Sequence, residues 1–147
     1  MKFETRTHNK TEDNDKTIFI IGHCPSKQRK KDSTRKVFEG NAVGDLIQEI
    51  IKDFENIHLT NIINEYVPEI TEELYIKGSE ELLDEIKTLK PYKAICLGDI
   101  AKKHLTKLIK NENLEVELIT IHNPGYILRF NKDKEEYKTK FKEKLIL

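Results

Sequence analysis

His23 and Cys24 stand side by side before Pro25, and they are the chain's clearest candidates for proton transfer and nucleophilic attack. An imidazole titrates near neutral pH, which suits a general base, and a thiol beside it can be activated as a nucleophile. The competing readings are structural: a histidine satisfied by backbone groups in a turn, and a small cysteine buried as an apolar residue. His122 and Asn123 form a second polar pair, again before a proline, Pro124. Asn61, Gly98 and Asp99 also follow short apolar runs; Asn61 can bond a ligand or a neighbouring loop, and Asp99 can cap a helix. Zinc held by His23, Cys24 and His122 stays open, with no spacing signature behind it. Between residues 26 and 36 the basic side chains Lys27, Arg29, Lys30, Lys31, Arg35 and Lys36 make either a solvated loop or a phosphate contact.

These residues can act together only if secondary structure carries them to one place. Thr17 to Gly22 reads as a buried strand, a β-branched run closed by Gly22 and Pro25. Asn41 caps a helix with Val43, Leu46, Ile47, Ile50, Ile51 and Phe54 on one face. A strand over 57–62 follows, then a long loop over 63–78 that contains Pro68 and Gly78. Ser79, Glu80 and Glu81 open a second helix, with Leu82, Leu83, Ile86 and Leu89 inward, stopped by Pro91. Ala94 to Leu97 is a strand, Gly98-Asp99 turns into a helix burying Ile100, Ala101, Leu105, Leu108 and Ile109, and Leu114 to Ile121 is a strand. A last helix from about Lys132 turns Tyr137 and Phe141 inward.

The order βαβαβαβα predicts an α/β fold, a three-layer sandwich around a central four-stranded parallel sheet. In such sheets the carboxyl ends of the strands share one rim, where ligands bind. That rim would collect His23, Cys24, Asn61, Asp99, His122 and Asn123, and Cys24, Asn61 and Asn123 are expected to face a common slot.

The totals bound the alternatives. A polar lead-in over 1–16 and one domain over 17–147 account for 147 residues, with a further edge strand near Phe3. Lys plus Arg and Asp plus Glu are 26 each, so no global charge advertises nucleic acid and only local clustering can. Charged residues reach 35%, no apolar run has the length of a membrane span, and the N-terminus lacks a signal-peptide core. Two cysteines alone cannot build a four-thiolate cluster, and their place in or beside buried strands suits a reducing cytoplasm. A monomer with no membrane partner is expected.

Read as a set, the rim segments resemble the uracil-DNA glycosylase superfamily. Gly22-His23-Cys24-Pro25-Ser26 is similar to its first motif (G-Q-D-P-Y, G-x-N-P-G or G-E-x-P-G), and Phe38-Glu39-Gly40-Asn41-Ala42-Val43-Gly44 to the F-V-G-x-A-G stretch of the iron–sulfur branch. Leu59-Thr60-Asn61-Ile62-Ile63 resembles I-T-N-V-V of that branch, and Leu89 to Gly98 its L-K-P-K-x-I-V-x-L-G. His122-Asn123-Pro124-Gly125-Tyr126-Ile127-Leu128-Arg129 resembles the second motif, H-P-x-Y-L-L-R. Five weak matches in series, over about residues 17–130, reinforce one another.

The resemblance implies a base glycosylase acting on a pyrimidine extruded from single- or double-stranded DNA. Gly22, Cys24 and Pro25 would line the base site, Phe38 would stack on the base and Asn61 would read its edge. His122 or Asn123 would stabilise the charge growing on the departing base, as at an oxyanion hole. Tyr126, Ile127 or Leu128 would wedge into the vacated stack; Arg129 would meet phosphate, as would Lys27, Arg29 and Lys30 of the basic loop. No metal or organic cofactor is expected. Three departures stand against this background. Asn123 occupies the place where many members carry the histidine, the iron–sulfur cysteines are absent (Glu65 lies near one of their places), and His23-Cys24 replaces the Asp, Asn or Glu that positions water. The last departure motivates a rival reading, a catalytically lapsed relative that binds DNA or a protein partner; an enzyme of free nucleosides is a third.

Overall fold

The computed structural model describes residues 2–12, 16–25 and 36–146. Its elements are β1 (Arg6–His8), β2 (Ile18–Gly22), α1 (Ala42–Ile51), β3 (Ile57–Asn61), α2 (Glu72–Leu89), β4 (Lys93–Leu97), α3 (Asp99–Glu112), β5 (Glu117–Ile121), α4 (Pro124–Arg129) and α5 (Lys134–Ile146). The fold is α/β. Strand order in the single sheet is β1-β3-β2-β4-β5, with the last four strands parallel and β1 antiparallel on the edge of β3. The expected parallel sheet is therefore present, extended by one short strand that covers the edge of β3.

Period two in the strands divides the core between the two faces. Ile18 and Ile20 of β2, Ile57 and Leu59 of β3, and Ile95 and Leu97 of β4 pack against Leu46, Ile47 and Ile50 of α1, Ile127 of α4 and Phe141 of α5. Phe19 and Ile21, with Ala94 and Cys96, pack instead against Leu82 and Ile86 of α2 and Ala101 and Leu105 of α3. Each fully buried isoleucine contributes about 1.5–3 kcal/mol. Burial also pushes the Cys96 thiol up to about 12, which leaves it a core residue. Among the described residues no helix is long and apolar enough to cross a membrane.

Several sequence expectations shift. Helix α2 begins at Glu72 rather than Ser79, capped by the Thr71 hydroxyl, which accepts from the Leu74 N–H at 3.3 Å. Gly78, expected to end a loop, is inside the helix because α2 crosses the end of β3 closely: a Cβ there would lie 2.0 Å from the Ile62 carbonyl oxygen. Residues 124–129, to which the sequence patterning assigns no element, form the short helix α4, with Pro124 in its first turn. The edge strand is Arg6–His8 rather than near Phe3, and Phe3 is buried with its N–H on the Asn64 carbonyl at 2.6 Å. Ile100 is 44% exposed rather than buried. Asn41 caps α1 as expected, accepting from Gly44 N at 2.7 Å. At α3 the cap residue is Gly98, at φ +93°, and Asp99 is the first helical residue.

Two buried polar groups tie the layers together. His58 on β3 bridges Thr7 of β1 at 2.9 Å and Glu85 of α2 at 2.6 Å, and the Thr60 hydroxyl donates to the same carboxylate at 3.0 Å. The Lys93 ammonium, fully buried, donates to the Lys144 carbonyl at 2.9 Å and so closes the last turn of α5.

Candidate active site

The carboxyl ends of β2 and β3 meet in register, Gly22 opposite Asn61. A Cβ added at Gly22 would lie 2.4 Å from Asn61 Oδ1 and 2.9 Å from Phe38 Cζ. The missing side chain is thus what lets an amide and an aromatic ring close over the strand end. Phe38 takes a left-handed backbone conformation, φ +58°, and three contacts hold it there. Gln48 Nε2 donates to its carbonyl at 3.0 Å, Val37 N–H bonds the Glu4 carbonyl at 2.9 Å, and Gly44 packs on the Phe38 backbone where a Cβ would come within 2.6 Å.

Asn61 is buried, and its backbone is clamped by Asn64. Its N–H donates to Asn64 Oδ1 at 3.0 Å, while Asn64 Nδ2 donates to the Asn61 carbonyl at 3.3 Å and to Thr60 Oγ1 at 3.2 Å. The Asn61 side chain is treated differently. Among the described residues its Oδ1 is buried without a hydrogen-bond partner. An unpaired buried acceptor costs about 1–3 kcal/mol, so it marks either strain or a place kept for a ligand's donor.

On the far side of the α1 N-terminus, Asn123 caps α4, its Oδ1 accepting from Gly125 N at 2.8 Å. The cap fixes the amide orientation, oxygen to the helix and Nδ2 outward as a donor. A Cβ at Gly98 would lie 3.6 Å from Asn123 Cβ, and one at Gly125 would lie 3.9 Å from Val43, one residue before Gly44. Phe38, the α1 N-terminus and Asn123 therefore follow one another across the rim. His122 is exposed, its ring stacked on Tyr126 at 5.1 Å between centroids. Its carbonyl accepts from the Tyr137 hydroxyl at 2.5 Å, which anchors the end of β5 to α5.

His23 and Cys24 depart from expectation. His23 is one residue past Gly22, so alternation turns its side chain to the α2 face. There Nε2 hydrogen-bonds the Tyr75 hydroxyl at 2.7 Å, and the Tyr75 ring stacks on His104 at 4.4 Å. Burial holds the His23 imidazole below its ordinary pKa. Cys24 packs against the same α2/α3 cluster, and burial raises its thiol pKa, opposite to what an activated nucleophile needs. The slot expected to join Cys24 with Asn61 and Asn123 is corrected: Gly22 and Asn61 share one face with Phe38, and Cys24 belongs to the other. The zinc site left open in the sequence is not assembled. Among the described residues no three His, Cys, Asp or Glu side chains gather as metal ligands, so His23, Cys24 and His122 do not form that site.

Of the residues expected on DNA, Tyr126 and Arg129 are exposed, whereas Ile127 is buried in the core beneath α4 and cannot be a wedge. An amphipathic turn explains this: α4 is one face core and one face solvent, and Ile127 follows Tyr126 by 100°. Pro25 is buried at the end of the first motif. Lys27, Arg29 and Lys30 lie outside the described residues. Sequence reasoning missed Asn64, Gln48 and Tyr75. The Asn-Ile-Ile-Asn spacing carried a signal for the first, since an Asn three residues on can bond back to the strand end; Tyr75 was hidden in the stretch read as loop.

No curated protein sequence matches the chain. The model of the uracil DNA glycosylase superfamily matches residues 8–146 and so spans every element from the end of β1 to α5. With the motif residues on one rim of an α/β sheet and that match over nearly the whole length, the chain belongs to the uracil-DNA glycosylase superfamily.

Proposed function

We propose that the protein is a DNA-base glycosylase that hydrolyses the N-glycosidic bond of uracil or another modified pyrimidine turned out of DNA. The observation that carries this reading is the unpaired Asn61 Oδ1, held beside Phe38 over Gly22. A pyrimidine with a ring N–H beside a carbonyl matches an amide that offers one acceptor and one donor. Oδ1 is sealed from solvent, so a base reaches it only after the cover opens, and Phe38, which meets the same Gly22 position, is the ring on which the base would then stack.

Bond cleavage leaves negative charge on the base, and Asn123 Nδ2 is the donor oriented to receive it, its oxygen being committed to the α4 cap. His122 is exposed, with its ring stacked on Tyr126. Water then attacks the oxocarbenium-like sugar. His23 is held on Tyr75 away from this set, so it positions the first motif rather than moving a proton.

The same observation on His23 and Cys24 favours one rival, a lapsed relative that binds DNA without base release, because no acid, amide or activated thiol stands at the water-positioning place. One assay separates the two. Single- and double-stranded oligonucleotides containing uracil or common modified pyrimidines are incubated with the protein, and abasic sites are cleaved with alkali. Strand breaks that disappear in Asn61→Ala support the glycosylase; no breaks with any base, while the DNA is still bound, leaves the rival.

A further inference from the structure

Helices α2 and α3 cover one face of the sheet, and an open groove of about 580 Å³ runs between them. Tyr75, Leu83 and Leu108, each partly buried, line it. Ile76 stands on one edge and Ile100 on the other, 55% and 44% exposed. Apolar side chains gathered in one strip and left in water mark a binding surface.

The two walls carry opposite charge. Helix α2 has six acidic side chains against two lysines, and α3 has four lysines against two acidic side chains. At the groove itself Glu72 and Glu80 stand on the α2 wall, four residues either side of Ile76, and Lys103 and Lys107 stand on the α3 wall. Glu112, the last residue of α3, is the one acid lining that second wall. Glu72, Glu80, Lys103 and Lys107 are exposed, and none has an ion-pair partner among the described residues. A ligand of one sign is attracted by one wall and repelled by the other. A second copy of this chain brings both signs in the matching order. Each helix joins two parallel strands, so α2 and α3 run the same way. A two-fold axis through the groove then sets α2 of one copy antiparallel to α3 of the other, acidic wall on basic wall, twice over. Glu72 comes opposite Lys107 in that arrangement, and Glu80 opposite Lys103.

We infer that the α2/α3 face is where two copies of this chain associate as a two-fold dimer, in place of the monomer expected from the sequence. Helices of 18 and 14 residues present a face about 27 Å long and roughly 20 Å wide, on the order of 500 Å². A standard interface takes about 800 Å² from each partner, so the pairing is weak and reversible. The base site with Phe38 belongs to the other face of the sheet. Pairing leaves it open, and the inference stands or falls apart from the glycosylase reading.

The test is sedimentation velocity on the full chain at low salt, from about 1 to about 200 µM protein. The expected result is a weight-average mass that climbs from the monomer toward twice that value, with association weakened several-fold in about 0.5 M salt because exposed ion pairs are screened. Two double variants carry the argument further. Lys103→Glu with Lys107→Glu makes both walls acidic, and Glu72→Lys with Glu80→Lys makes both basic, so each alone should self-associate at least about tenfold more weakly. Mixed in equal amounts they should dimerise again, since every acidic wall then meets a basic one; recovery also shows that both variants are folded. A chain that stays monomeric across the whole range overturns the inference and leaves the groove to a different protein. Association unchanged in both variants overturns it as well, and so does a mixture of folded variants, shown by circular dichroism, that fails to recover.

Discussion

Two asparagines three residues apart should respond to alanine with opposite signs. Asn64→Ala removes the acceptor of the buried Asn61 N–H and the donor to the Asn61 carbonyl and Thr60 hydroxyl. Leaving one buried N–H unpaired costs about 1–3 kcal/mol, and the remaining lost bonds about 1 kcal/mol together, so about 2–4 kcal/mol is expected. Asn61→Ala instead deletes an acceptor that has no partner, which relieves a desolvation cost of about 1–3 kcal/mol. The deleted amide leaves roughly 30 Å³, worth about 0.7 kcal/mol at about 24 cal/mol per Å³. The net effect is between neutral and about 2 kcal/mol of stabilisation. Urea unfolding followed by circular dichroism reads both directly, with unchanged slopes showing that the midpoint shift reports stability. In thermal unfolding the Asn64 variant should melt roughly 4–16 °C lower and the Asn61 variant no lower than the parent. Loss of more than about 1 kcal/mol in Asn61→Ala would refute the argument, since it would show that the Oδ1 is paired in solution. A stabilised variant that no longer releases base would instead show stability given up for function.

Other outcomes follow from single contacts. Gly22→Ala drives a Cβ to 2.4 Å from Asn61 Oδ1 and 2.9 Å from Phe38, so a loss of about 1–3 kcal/mol in urea and abolished base release are expected together. Gly78→Ala, which in an ordinary helix interior gains about 1 kcal/mol, should destabilise by at least about 1–3 kcal/mol, because the methyl meets the Ile62 carbonyl at 2.0 Å. The third concerns pH. Burial lowers the pKa of His23 and of His104, the latter also pressed by Lys107 and Lys103, so the unfolded chain takes up protons near pH 6.5 that the native state refuses. Stability from these groups is full above about pH 6.5 and is lost as pH falls through the depressed native values. Melting temperature should therefore drop between pH 7 and 5, and His23→Gln should flatten that slope; an identical slope in the variant would refute it.

Much of this molecule was legible in its letters. Short apolar runs ending in glycine or a polar residue marked β2, β3 and β4, and 3.6-residue spacing with an Asn cap marked α1, because these signals sit within a few residues of chain. The rim itself followed from element order, since parallel strands must end on one side. Gly22, Phe38 and Asn61 could be named from motif residues before their contacts were seen, although nothing in the letters placed the amide within reach of the ring.

Tertiary structure decided what local pattern could not. Helix α2 starts at the Thr71 cap, seven residues before Ser79, and runs through Gly78 where it passes the Ile62 carbonyl just beyond β3; a glycine required by a neighbouring carbonyl looks in sequence like a glycine that breaks a helix. The faces of the first motif were likewise out of reach. Gly22 and His23 differ by one position, and with a period of two that single step sends Gly22 toward Phe38 and His23 toward Tyr75. Sequence alone determined which residues reach the rim; the packing of helices on the two faces of the sheet decided which of them meet there.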